Sequence, residues 1–174
     1  NGTSPELARF HSGKALFLDT PEPKLDQSST YTAISELQMF MEYFPDSKRK
    51  TDAQIMMFNL QDKLVMKEYL SAKLYYDLGT YTGNSSMTAD GQIIGNNFQA
   101  CITTAQNILK DYPYTSMRED ISILLLRAKY KLGSESVLEK KEERMREAID
   151  EYYAFKNEFP ESKFAKEAQS IFSK

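Results

Sequence analysis

An aromatic residue followed by proline, with a hydroxyl residue two places later, occurs three times in this chain: Phe44-Pro45-Asp46-Ser47, Tyr112-Pro113-Tyr114-Thr115 and Phe159-Pro160-Glu161-Ser162. A single copy would only stop a helix. Three copies sharing an upstream pattern define a repeated unit. Twelve residues before each proline stand Ala33, Cys101 and Ala148, all small; five before stand Phe40, Ile108 and Phe155. Positions twelve, eight, five and one before proline step by four, three and four residues, which is one face of an α-helix.

The aromatic ends each helix because the residue before a proline is pushed out of the α region. The hydroxyl two places past the proline can accept from a free N–H and cap the helix that follows. Each unit therefore reads helix, proline turn, helix. The small residue opening each apolar face marks a close approach between helices, so Ala33, Cys101 and Ala148 are expected at tight inter-helix contacts.

Helix pairs of about 34 residues with small residues early and proline late are the signature of tetratricopeptide repeats. Pro45 and Pro113 are two such periods apart; Pro113 and Pro160 are one period and thirteen residues apart. No small-residue and proline pattern fills the first gap. The stretch 67–79 reads instead as the end of a long helix closed by Gly79. The expectation is an all-α fold, an α-solenoid of about three tetratricopeptide-like helix pairs, in one domain spanning 1–174 that lacks N-terminal repeats. Helices are expected near 5–19, 31–44, 50–78, 98–111, 116–132, 138–158 and 163–173.

Two segments stand outside the repeat. Residues 82–97, TGNSSMTADGQIIGNN, are rich in Gly, Asn and Ser and carry no helical period, so they read as a loop insertion. It is either a tolerated excursion or a contact loop. Residues 134–147 extend the helix before Phe159 backward, with Glu139, Lys140, Glu143 and Arg144 expected to pair along a solvated face.

The chain carries 22 Lys and Arg against 25 Asp and Glu, a net charge of −3, which gives no basic footprint for nucleic acid. No run of about 18 apolar residues occurs. His11 is the sole histidine and Cys101 the sole cysteine, far apart in sequence and on different repeats, so no His-based metal site, dyad or triad is identified, and both residues read as structural. The aromatics Phe40, Phe44, Tyr75, Tyr76, Tyr112, Tyr130, Phe155 and Phe159 fall at repeat spacing and are expected in the inter-helix core. No catalytic residue, metal ligand or cofactor motif is identified, and the chain is expected not to be an enzyme.

Several segments together resemble a known family. DQSSTYTAISELQMFMEYFPDS (26–47) resembles the part of BamD-type outer-membrane assembly lipoproteins in which an Asp-Gln connector leads into an Ala-containing helix ending at the proline step. LQDKLVMKEYLSAKLYYDLGTY (60–81) is similar to the long helix of that family, through Glu68-Tyr69, Tyr75-Tyr76 and Gly79-x-Tyr81. ACITTAQNILKDYPYTS and AKYKLG (128–133) resemble the repeat that follows. The likeness implies the C-terminal three of five repeats, with residues 5–19 closing a repeat whose start is absent.

The resemblance further implies a scaffold on the periplasmic face of the bacterial outer membrane, held by a lipidated cysteine absent from this chain. Its partners would be the periplasmic domains of a BamA-type insertase, other assembly-machinery lipoproteins and unfolded outer-membrane proteins. No nucleic acid and no cofactor is implied. The partner surface would lie on the helix 98–111, on the side left polar by Thr104, Asn107, Lys110 and Asp111; the family often carries Arg at the position of Thr104. Another periplasmic repeat adaptor, serving envelope division or glycan uptake, stays open as an alternative.

Overall fold

The structure, a computed structural model, describes residues 4–81 and 96–173. Its regular elements among those residues are seven α-helices: α1 Pro5–Leu18, α2 Ser28–Tyr43, α3 Lys50–Leu78, α4 Asn97–Asp111, α5 Arg118–Ser134, α6 Leu138–Glu158 and α7 Ala165–Phe172. The fold is all-α and built of tetratricopeptide-like helix pairs, α2 with α3, α4 with α5, and α6 with α7. The chain falls into two compact units, 1–67 and 68–174, divided within α3.

The three proline turns repeat one geometry. Phe44, Tyr112 and Phe159 have φ of −131°, −127° and −126° with ψ of 63°, 64° and 66°. Each donates its N–H to the residue four back, Phe40, Ile108 or Phe155, and then leaves the helix as proline demands. The hydroxyls accept from an N–H two residues on, but in a turn ahead of the next helix and not on its first turn: Ser47 Oγ from the Arg49 N–H at 3.1 Å, Thr115 Oγ1 from Met117 at 3.2 Å and Ser162 Oγ from Phe164 at 2.9 Å. The next helix begins five residues after each proline, at Lys50, Arg118 and Ala165. α5 and α7 thus start two residues later than expected, because that turn itself occupies those positions.

In the unit 1–67, Phe10 of α1, Leu37 and Phe40 of α2, and Ala53, Met56 and Leu60 of α3 form the buried core around Ala33. Gly13 lets α1 approach α2: a Cβ there would stand 2.8 Å from Leu37 Cδ2. The connector before α2 is held by a buried amide. Gln27 Nε2 donates to the carbonyls of Glu22 (2.7 Å) and Leu25 (3.1 Å), and its Oε1 accepts from Thr30 Oγ1 at 2.7 Å. Lys63 of α3 reaches back to Thr20 Oγ1 at 2.6 Å. This anchoring lets α2 begin at Ser28, three residues before the expected start.

In the unit 68–174, Ile121 to Leu126 are buried without interruption, so this part of α5 is enclosed on every side. α4 and α6 both pack on it, and α7 packs on α5 and α6. Ile123, Leu126, Tyr152, Phe155 and Ala168 form the core between the last three helices. Ala33, Cys101 and Ala148 are all buried, as their register predicts.

Three expectations need correction or fall away. Tyr75 is exposed while Tyr76 turns inward against Phe98 with ring centroids 5.6 Å apart; adjacent helical residues point about 100° apart and cannot share a face. The charged run 139–144 does not pair as expected, since residues 139 and 143 are both Glu and residues 140 and 144 both basic. Arg146 pairs with Glu142 at 2.8 Å instead, and Arg144 Nη1 donates to Ser136 Oγ at 2.6 Å. Of the insertion at 82–97, residues 82–95 lie outside the described residues; Asn96 and Asn97 cap and open α4.

Candidate functional site

α4 starts because Asn96 Oδ1 accepts from the Phe98 N–H at 2.8 Å, and it is strongly two-faced. Phe98, Cys101, Ile102, Ala105 and Ile108 are buried. Asn107, Lys110 and Asp111 are exposed and share the outer side of the last two turns, three and four residues apart. Thr104 is half-buried. Its repeat position is nine before proline. In α6 that position holds Glu151, which pairs with Lys129 of the preceding helix at 2.7 Å, and in α2 it holds Glu36, which lines a hollow with Arg9 of α1. Thr104 therefore sits at the edge of the polar face, while the other three stand on it.

The structure adds Tyr114, which sequence reasoning missed. It lies on the turn after α4 and is 86% exposed. The other two turns carry acidic residues there, Asp46 and Glu161, and that departure was the available signal. The turn is braced from two sides. Arg118 Nη1 donates to the Pro113 carbonyl at 3.3 Å, and the Arg118 guanidinium pairs with the Glu158 carboxylate at the end of α6. An aromatic, an amide, one cation and one anion thus project from a fixed helix end. Lys110 suits the negative end of the helix dipole, whereas Asp111 opposes it.

Cys101 offers no nucleophile: burial pushes its thiol up to about 12, so it stays protonated at neutral pH. His11 is exposed on α1. Among the described residues, no three His, Cys, Asp or Glu side chains converge as a metal site, and no helix is long and apolar enough to cross a membrane.

These features define a helical-repeat protein whose distinctive chemistry lies on an open surface. Residues 3–86, just under half of the chain, match the model of the YfiO family, described as an outer membrane lipoprotein. That part of the chain is similar to outer membrane lipoproteins of this family and includes both the connector into α2 and the whole of α3. No curated protein matches the chain. The α4 surface lies beyond the matched stretch.

Proposed function

We propose that this protein is a non-enzymatic scaffold of the outer-membrane β-barrel assembly machinery, working at the periplasmic face of the outer membrane. It holds the periplasmic domains of a BamA-type insertase, with other assembly lipoproteins and unfolded barrel proteins as further partners. The match of residues 3–86 to the outer membrane lipoprotein family carries this reading. The insertase contact is assigned to the outer side of α4, at Asn107, Lys110 and Asp111 with Thr104 at the edge. In its support, Asp111 stands where the helix dipole disfavours an anion, so the fold gives no reason for its charge.

Because the face is polar, charge should govern partner choice and association rate more than buried apolar area. Titration of the purified insertase periplasmic domains against the Lys110→Glu, Asp111→Lys double variant tests the assignment. Both residues are exposed, so the variant should fold normally with net charge unchanged. Binding should weaken by about 1–2 kcal/mol. Unchanged affinity would remove the α4 face from the interface, and no binding by the unmodified protein would remove the insertase as partner.

A further inference from the structure

The repeat makes equivalent positions comparable within one chain. Eleven residues before proline, Ile102 of α4 is 4% exposed, whereas Ile149 of α6 is 41% exposed. Twelve residues after proline, Leu125 of α5 is 3% exposed, whereas Phe172 of α7 is 39% exposed. α5 has α6 packed against it, whereas α7 presents the equivalent position, and α6 the neighbouring Ile149, uncovered.

Between α6 and α7 the surface is hollowed. One cavity of about 180 Å³ lies among Met145, Ile149, Tyr152, Ile171 and Phe172. A second of about 130 Å³ lies among Tyr152, Lys156, Phe159, Ala168 and Gln169. Both are lined by Tyr152. The groove edge is set before any partner arrives. Tyr152 stacks on Phe172 with centroids 4.4 Å apart, Tyr153 meets Phe172 edge-on at 5.5 Å, and Tyr152 Oη donates to Gln169 Oε1 at 2.6 Å.

We propose that this groove binds one amphipathic helix of a partner protein, seated on α7 as α6 seats on α5. The repeat interface continues onto α6–α7, so the fitting helix carries what α2 and α6 carry: a small residue, a large apolar residue four on, and an aromatic three further. Charge adds a second requirement. Four residues before proline, α2 and α4 have half-buried Met41 and Leu109, while α6 has exposed Lys156 at the groove wall. A carboxylate on the incoming helix meets that ammonium, so the groove selects an acidic amphipathic helix. This surface is separate from the α4 face and stands whether or not the insertase reading holds.

A labelled, end-capped peptide of residues 28–44 has the register through Ala33, Leu37 and Phe40, and acidic residues at Glu36 and Glu42. Fluorescence anisotropy against the whole chain should show saturable binding. Ile149→Glu should weaken it at least tenfold, and Lys156→Glu several-fold, with thermal melting confirming that both variants fold. A peptide with Glu36 and Glu42 changed to Lys should prefer the Lys156→Glu variant. Absence of peptide binding, or binding indifferent to Ile149→Glu, would overturn the proposal. So would light scattering that shows a dimer of this chain broken by Ile149→Glu, since a second copy would then fill the groove.

Discussion

Ser162 Oγ donates to a carboxylate oxygen of Glu119 at 2.5 Å while accepting from the Phe164 N–H at 2.9 Å. Ser47 does the same, donating to Glu6 at 2.6 Å and accepting from Arg49 at 3.1 Å. Glu6 and Glu119 both lie in the first turn of the helix preceding the pair. One hydroxyl thus closes the turn ahead of the coming helix and ties it to the start of the helix two before it.

Ser162→Ala removes the acceptor of the Phe164 N–H in the turn before α7 and the hydroxyl that donates to Glu119. It should cost about 0.5–2 kcal/mol, and Ser162→Thr should keep most of that. Urea unfolding of the two variants side by side measures the difference; equal stability of Ala and Thr variants would show that the hydroxyl contributes nothing.

Arg127 of α5 holds the Glu167 carboxylate of α7 through two hydrogen bonds of 2.6 and 2.7 Å, and this lowers the carboxyl below its ordinary range. A group with a lowered folded pKa stabilises above its unfolded pKa and loses that stabilisation as pH falls through the folded value. Glu167→Gln should therefore cost about 0.5–1 kcal/mol at neutral pH, discounted for exposure, and progressively less as pH falls below the ordinary carboxylate range of about 4. Chemical denaturation at neutral and at acid pH checks this, and an equal loss at both would mean that the contact is not ionic.

Gly79 closes α3 at φ 54°, and a Cβ there would meet Phe98 Cζ at 3.0 Å. Its carbonyl also accepts from the Asn97 N–H at 3.2 Å. Gly79→Ala should cost about 1–2 kcal/mol from the left-handed backbone alone. Gly79→Asn should recover only part, since Asn tolerates the backbone angle but still places a Cβ against Phe98. Thermal unfolding of both variants distinguishes the two sources of strain.

Ala33→Leu should overpack and cost about 1–3 kcal/mol, because Ala33 is fully buried in the core of α1, α2 and α3. Ala148→Leu should cost less, because Ala148 borders the cavity of about 180 Å³. Paired thermal melts test the order, and a reversed order would place the cavity elsewhere.

What the sequence determined by itself is the local frame. Proline forbids the preceding residue its helical angles, the hydroxyl two places on has a free N–H within reach, and a four-three-four spacing can only be one side of a helix. So the three turns, the long α3 and the buried faces of α2, α4 and α6 were legible, as were the exposed Asn107, Lys110 and Asp111. Tertiary structure decided which equivalent positions are covered. Ile102 and Ile149 hold the same place in the repeat, yet only one is buried, because burial depends on the neighbouring helix and not on the register. Thr104 tucks to the edge for the same reason. Periodicity fixes directions around a helix axis, and only the packing of other helices fixes what lies in each direction.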